Sequence, residues 1–158
     1  QQSPSKSTGI VVIISPMTDY HFSIPIQVRY GDLDPQWHVN NSRSLTFIEQ
    51  ARFAYIVELG LWDGKDFFNL GLIVADAHLA FIAPIELGQD LRVFTRVARL
   101  GNKSLIFEYE IRDEHSHEVL TRAETIMVYY DYHTRTSQPV PDAWRAKISA
   151  FEGIPPRS

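Results

Sequence analysis

The stretch "SRSLTFIEQARFAYIVELG" (residues 42–60) decides the fold of this chain, because its apolar side chains recur at helical spacing. Gly60 stands where a helix commonly ends. The remaining directions around the helix are also largely apolar, and a helix of that kind must be covered by other structure. The sequence therefore predicts one long helix wrapped by the rest of the chain. The residues that set the spacing are Leu45, Ile48, Ala51, Tyr55 and Leu59.

The segments on either side of this helix have the patterns of β-strands. Residues 20–30 alternate between apolar and polar side chains, and Pro25 predicts that this strand lies at a sheet edge, because proline cannot donate a ladder hydrogen bond. "LIVADAHLAFIAPI" is apolar enough to be covered on both faces for much of its length. "DLRVFTRVARL" and "KSLIFEYEIRD" flank a Gly-Asn turn and predict a hairpin. "HEVLTRAETIMVYYDY" predicts the last long strand, and "PDAWRAKISAFE" a short terminal helix.

A strand, a buried helix and four successive strands together predict an α+β fold, with an antiparallel five-stranded sheet curled around one helix. A parallel sheet is excluded, since the turns between the later strands are too short for crossover helices. We divide the chain into a flexible N-terminal extension (1–18), one domain (19–133) and a C-terminal tail with a short helix (134–158).

Composition narrows the classes of function. The chain has 158 residues and a formal net charge of −4, which argues against nucleic acid as the main partner, because that binding needs a clustered basic surface. "GIVVIIS" is too short to cross a membrane, which takes ~20 apolar residues. There is no cysteine. This excludes disulfides, thiolate metal sites and cysteine nucleophiles, and it fits a cytoplasmic protein.

The segment "VRYGDLDPQWHVNN" (residues 28–41) gathers short polar side chains immediately before the buried helix. Unpaired N–H groups at the start of a helix favour a polarised ligand oxygen, so we expect an oxyanion site here. Each residue also has a purely structural interpretation. Asp32 is expected to make an Asx turn and Asn41 or Ser42 to cap the helix. A metal site is disfavoured, because no second strong ligand group accompanies Asp32, Asp34 and His38.

At these residues the sequence resembles the hotdog-fold thioesterases of the 4-hydroxybenzoyl-CoA thioesterase family. The resemblance rests on "VRYGDLDPQWHVNN", "LTFIEQARFAYIVELG" and "RLGNKSLIFEYEI", in the family's order, and spans residues 20–132. It implies hydrolysis of acyl-CoA thioesters without a cofactor or metal. Asp34 would be the catalytic carboxylate and the Asn41 backbone amide the oxyanion donor. His38 and Asn40 would orient the reacting groups.

The resemblance also suggests a carrier site and an assembly. Lys103, Ser104 and Arg99 would bind the phosphates of coenzyme A, in preference to the other candidate cations of the strands. The expected assembly is a homodimer or homotetramer that uses the edge strand between Leu72 and Ile82. The acyl pocket would lie along the helix and between subunits. Its expected lining is Phe47, Phe67, Phe68 and Phe81, most of which we also expect in the core; the other candidate cations are Arg92, Arg96 and Arg122.

Three alternative functions stay open. "DLDPQWHVNN" also resembles an element of plant-type acyl-ACP thioesterases, although Gln36 stands where that element has asparagine. A hotdog dehydratase would likewise use an acidic residue with a histidine, but with a different motif spacing. A non-catalytic acyl-thioester binding protein would keep the same pocket without turnover.

Overall fold

The computed structural model describes residues 19–157. The N-terminal extension predicted for residues 1–18 lies outside the described residues. Within residues 19–157, two helices and six strands follow one another, with short 3₁₀ turns at Tyr30–Asp32 and Phe67–Asn69. The elements are β1 (Phe22–Gln27), α1 (Asn41–Glu58), β2 (Leu72–Phe81), β3 (Asp90–Leu100), β4 (Ser104–Asp113), β5 (Val119–Asp131), β6 (Thr136–Ser137) and α2 (Asp142–Glu152).

The strands form one antiparallel sheet in the order β1-β3-β4-β5-β2, which confirms the predicted α+β fold. The two-residue β6 pairs with the end of β5 and was not predicted. β1 pairs only with β3 among the described strands, so the edge position predicted from Pro25 is confirmed. β2 forms the opposite edge. The predicted β3–β4 hairpin is confirmed by the pairing of Leu100 with Leu105.

Alternation along the strands turns one face of the sheet towards α1. The inward side chains of β3, β4 and β5 are buried, while the outward positions carry ion pairs such as Arg96 with Glu108. Arg92 and Arg122 also pair with glutamates on this face, consistent with ordinary strand charges. The core is therefore a single layer between the sheet on one side and α1 with α2 on the other.

The expectation that β2 is covered on both faces is wrong within one chain. Most of its side chains are exposed, and Val74 keeps 43% of its surface accessible. The same holds for α1, whose residues Thr46, Glu49 and Gln50 are exposed rather than wrapped. The reason is that β2 is an edge strand, so nothing in the described chain lies beyond it. Apolar surface left uncovered at a sheet edge is typical of an interface.

Tyr55 of α1 is the centre of the core. Its fully buried ring packs edge-on against Phe22 of β1, Phe107 of β4 and Phe151 of α2. Its hydroxyl donates a 2.6 Å hydrogen bond to Glu152 Oε1, which also accepts from Val97 N at 3.1 Å. Burial, followed by the hydrogen bond and charge of Glu152, raises the pKa of Tyr55 well above its ordinary value. The hydroxyl therefore stays protonated and keeps donating to Glu152.

The end of α1 at Gly60 and the terminal helix, both expected from the sequence, are present. α1 ends at Glu58, and Gly60 follows with a φ of 65°, a left-handed conformation that glycine adopts without steric cost. The predicted terminal helix is confirmed as α2, which buries Trp144 and Ile148. Arg145 of α2 donates to the carbonyls of Gly101 and Asn102 and so ties this helix to the β3–β4 turn. The division into domain and tail stays a prediction.

The Tyr55 hydroxyl gives the first testable prediction. Tyr55→Phe should lower the free energy of unfolding by ~1–2 kcal/mol, because it leaves the buried Glu152 carboxylate with one donor fewer. Urea unfolding followed by far-UV circular dichroism measures this. Tyr30→Phe is the matched control, since Tyr30 is 77% exposed and should change stability by less than ~0.5 kcal/mol. Equal stabilities of the two variants would contradict the role given to Tyr55.

Candidate active site

The polar segment before α1 (residues 28–41) contains a tight turn that begins at Asp34. Trp37 N donates to Asp34 O at 3.0 Å, so residues 34–37 form a β-turn with Pro35 at its second position, where proline's fixed φ suits the turn. Asp34 Oδ1 accepts from Gln36 N at 2.8 Å, which is an Asx turn. Trp37 closes the turn at a φ of 64°, a left-handed conformation that costs a non-glycine residue energy. Backbone strain of this kind is concentrated at functional sites.

The Asx turn was predicted for Asp32, and that prediction is wrong. Asp32 is only 1% exposed and acts as a clamp. Its carboxylate accepts from Arg29 N at 2.8 Å and from the Arg29 guanidinium, and Arg43 of α1 lies 3.9 Å away. Its carbonyl accepts from Asn40 N at 2.8 Å. One buried residue therefore joins the segment that follows β1 to the start of α1.

The charges around Asp32 decide its protonation. Burial would raise the pKa of Asp32, but the hydrogen bonds from Arg29 and the positive charges of Arg29 and Arg43 outweigh it and hold the pKa below its ordinary value. The carboxylate is therefore ionised at neutral pH. Its bonds to Arg29 are charge-assisted, the stronger kind of hydrogen bond.

The N-cap of α1 is Asn40, and not Asn41 or Ser42 as predicted. Asn40 Oδ1 accepts from Ser42 N at 2.9 Å and from Ser42 Oγ at 2.7 Å. This leaves Asn40 only its amide N–H groups for a ligand, a smaller role than the sequence suggested. Asn41 is the first helical residue, and the described part of the chain offers its backbone N–H no acceptor. That N–H, reinforced by the helix dipole, is free to bind an oxygen.

Asp34 and Asn41 line the same pocket, of about 420 Å³. His38 and Asn40 also face it, so all four predicted catalytic residues come together. The rest of the lining comes from the end of β2, the loop after it and the start of β5. Its residues include Phe81, Ile82, Pro84, Ile85 and Thr121.

His38 lies at the rim of this pocket. Its carbonyl accepts from Asp34 N at 2.8 Å, and its Nε2 lies 4.0 Å from Glu86 Oε1. The backbone bond fixes the Asp34 turn, while the imidazole, 40% exposed, is within reach of a ligand. Nothing in residues 19–157 gathers three or more His, Asp or Glu side chains in an arrangement suited to a metal ion.

Sequence reasoning missed Thr121 and Ser44 in this pocket. Alternation along β5 predicts that Thr121 points inward but does not show that it reaches a cavity beside Asp34. The sequence around Ser44 indicates only that this residue lies in the first turns of a helix. Only the curl of the sheet brings these positions together with the turn at Asp34.

The predicted carrier-binding residues are not brought to this pocket within one chain. Lys103 lies in the β3–β4 turn, where its Nζ donates to Ser137 Oγ at 3.3 Å. Ser104 pairs with Val128 of β5, whereas Thr121 at the pocket lies seven residues earlier on that strand. At about 3.3 Å per residue, the two ends are roughly 23 Å apart. Arg99 is exposed near the same distal end of β3.

A second, larger cavity of about 670 Å³ lies between α1 and β2. Its walls are mainly apolar and include Phe67, which is 64% exposed, and the uncovered Val74. Of the four predicted pocket phenylalanines, Phe67 faces this cavity, Phe81 faces the first pocket and Phe47 belongs to the core. Phe68 is 66% exposed and lines neither cavity.

The chain matches the family model of the thioesterase-like superfamily over residues 28–148. It therefore belongs to that superfamily, as the resemblance implied. The matched span contains the Asp34 turn, α1 and all the long strands after it.

Individual relatives agree with this assignment. The long-chain acyl-CoA thioesterase FadM of Escherichia coli is 27% identical over 78% of this chain and 93% of its own length. The 1,4-dihydroxy-2-naphthoyl-CoA hydrolase of Synechococcus elongatus is 26% identical over 80% of this chain and 92% of its own. A thioesterase from Thermus thermophilus, solved with coenzyme A and zinc, superposes with a TM-score of 0.74 at 30% identity, over 84% of this chain and 95% of its own.

The Asp32 clamp predicts a pH-dependent stability. Asp32→Asn should destabilise the protein by ~1–2 kcal/mol at pH 7, because the charge-assisted bonds to Arg29 are lost. The folded pKa of Asp32 lies below the unfolded value, so its contribution is present above about pH 4 and disappears as pH falls through the folded pKa. The stability gap to wild type should therefore narrow below about pH 4.

Urea unfolding of both proteins between pH 3 and pH 8 measures this gap. Glu124→Gln, an exposed acidic position on β5, is the control and should differ little from wild type at every pH. A gap for Asp32→Asn that stays constant across the range would show that its charge is not what stabilises the turn.

Proposed function

We propose that this protein hydrolyses acyl-CoA thioesters in the pocket around Asp34. The observation that carries the proposal is the presence of a carboxylate and an unpaired helix N–H in one pocket. A thioester already has a good leaving group. It needs a nucleophile at its carbon and a donor for the charge that develops on its oxygen, and these two groups supply both. The named activities of the relatives support the same reaction class.

Two routes use these groups. In one, Asp34 takes a proton from water while the water oxygen bonds to the carbonyl carbon; the C–S bond then breaks, and the thiolate of coenzyme A takes up a proton. In the other, an Asp34 oxygen bonds to the carbonyl carbon and the C–S bond breaks, releasing the thiolate of coenzyme A, which takes up a proton. Water then hydrolyses the resulting mixed anhydride and gives back the Asp34 carboxylate and the free acid. In both routes the Asn41 N–H stabilises the oxyanion, a contact worth about 3 kcal/mol in the transition state. His38 orients the Asp34 turn through its carbonyl.

A homodimer formed through β2 would complete the site. β2 is a long edge strand with exposed apolar side chains, and pairing with a second copy would bury them. In an antiparallel pair, the Leu72 end of the partner's strand comes beside the Phe81 end of the first. Leu72 lines the second cavity and Phe81 the pocket of Asp34, so each pocket would meet the partner's second cavity.

This arrangement also assigns the acyl group and the carrier. The apolar second cavity would take the acyl chain. The β3–β4 turn with Lys103 lies at the Leu72 end of the sheet. Tyr129 pairs with Leu72, and its backbone N–H donates to Lys103 O. The partner's Lys103, Ser104 and Arg99 would then approach the pocket mouth and meet the phosphates of coenzyme A. A cytoplasmic location and a homotetramer remain predictions; no helix in residues 19–157 is long and apolar enough to cross a membrane.

Asp34→Asn tests the proposed reaction. The variant keeps an oxygen that can accept from Gln36 N, so the turn should survive, while the charge needed to take a proton or attack carbon is lost. We expect thiol release from acyl-CoA to fall by at least ~100-fold. The assay is a thiol-release screen across short, medium, long and aromatic acyl-CoA and acyl-ACP substrates.

Asp63→Asn is the matched control, because Asp63 also accepts from the backbone N–H two residues later, that of Lys65, but lies outside the pocket. It should keep wild-type turnover. If Asp34→Asn turns over as fast as wild type, Asp34 is not the catalytic group. Binding of acyl-CoA by wild type without turnover would indicate a binding protein instead.

The dimer has its own measurement. Sedimentation of the wild type should give at least twice the chain mass of 18.1 kDa. Val74→Asp should shift the mass towards one chain, because it places a charge on an exposed apolar position of the edge strand. Gln27→Glu, which adds a charge at an exposed position of β1 on the opposite edge of the sheet, should not change the mass. A wild type that sediments as a single chain at assay concentration would contradict the β2 dimer.

A further inference from the structure

Two buried hydroxyls in the structure have no hydrogen-bond partner. Among the described residues, Thr95 Oγ1 and Thr121 Oγ1 are the buried side-chain oxygens or nitrogens in this state. An unpaired buried hydroxyl is costly, so such groups are rare in folded proteins. Thr125, on the same inward face, shows the usual solution, since its hydroxyl lies 3.0 Å from the hydroxyl of Tyr109.

The two unpaired threonines differ in their surroundings. Thr95 lies in the middle of β3, between Phe22 of β1 and Tyr109 of β4, and lines neither cavity. Thr121 lies near the start of β5, pairs with Phe81 of β2 and lines the pocket that holds Asp34 and the Asn41 N–H. It is only 1% exposed, whereas Asn41 is exposed. Thr121 therefore belongs to the inner end of the pocket.

We propose that Thr121 is a positioning residue that holds the attacking water in the thioesterase reaction. The proposal rests on the proposed function and deepens it. A hydroxyl both donates and accepts, so it can bind a water while that water gives its proton to a carboxylate. Rotation about χ1 between staggered rotamers turns the hydroxyl without moving the strand. Both routes written above need one water at the carbonyl carbon, so the role does not depend on which one operates.

The inner position of Thr121 favours water over the carrier as its partner. Coenzyme A must enter from the exposed side of the pocket, past the side chains of Asn40 and Asn41, while the Asn41 backbone N–H holds the carbonyl oxygen of the thioester. Thr121, at the inner end, would therefore meet the reacting carbonyl group and the water that attacks it rather than the carrier. The unpaired hydroxyl of Thr121 lowers the stability of the fold. In this account the protein keeps it because it can bind the water that the reaction uses, so stability is exchanged for activity.

The test compares Thr121→Val, Thr121→Ser and Thr95→Val. Valine has nearly the shape of threonine without the hydroxyl, and serine keeps the hydroxyl. Thr121→Val should lower kcat at least tenfold with little change in KM, since the lost interaction acts on the water and not on substrate binding. Thr121→Ser should stay within about threefold of wild-type kcat. The shape of the pH–rate profile should be unchanged in both, because threonine does not titrate and Asp34 is untouched.

Thr95→Val controls for the removal of a buried unpaired hydroxyl. Both valine variants should have a Tm equal to or above that of wild type, but Thr95→Val should keep full activity. Wild-type kcat in Thr121→Val, or an equal loss in Thr121→Ser, would overturn the proposal. Turnover that Asp34→Asn abolishes but Thr121→Val retains would overturn only the role of Thr121. A wild type without turnover would overturn the proposed function as well.

Discussion

The buried carboxylate of Asp32 is the constraint on which the candidate site depends. It binds Arg29, two residues after the end of β1, and faces Arg43 in α1, while its own carbonyl accepts from Asn40 N at the start of the helix. Asp32 thereby holds both ends of the segment between Arg29 and Asn40. The turn between them places Asp34 in the pocket that the N-terminus of α1 also lines. Asp32 has a structural role, whereas the carboxylate of Asp34 lines the pocket and can react.

The core gives this arrangement a rigid base. Tyr55 packs against aromatic rings of β1, β4 and α2 and donates to Glu152, so the helix is held on the sheet by both apolar burial and a buried hydrogen bond. A helix fixed in this way keeps the direction of its first N–H constant, as an oxyanion donor requires. The uncovered side of α1 and the exposed edge strand β2 lie together at the second cavity. The part of the molecule that one chain leaves open is the part that a second copy would cover.

The sequence predicted the elements well, because each has its own local signal. Helical spacing and Gly60 defined α1, alternation defined the strands, and Pro25 placed β1 at an edge. The sequence did not predict the separate roles of the short polar side chains before α1. Asp34 makes the Asx turn expected of Asp32, and Asn40 caps the helix in place of Asn41 or Ser42. Neighbouring aspartates and asparagines have the same local preferences. The ion pairs of Asp32 with Arg29 and Arg43 depend on how the segment folds, and they decide which aspartate is buried. The unpaired hydroxyl of Thr121 has no sequence signal, since burial and pairing depend on the folded sheet.

The central claim is that Asp34 and the Asn41 N–H act on one carbonyl group. A crystal structure of Asp34→Asn with a non-hydrolysable acyl-CoA analogue, in which a ketone replaces the thioester, measures this most directly. The account predicts the ketone oxygen at about 2.9 Å from Asn41 N, and the ketone carbon within about 3.5 Å of the residue 34 side chain or of a water bound to it. A ketone oxygen bound elsewhere, more than about 4 Å from Asn41 N in every subunit, would contradict it.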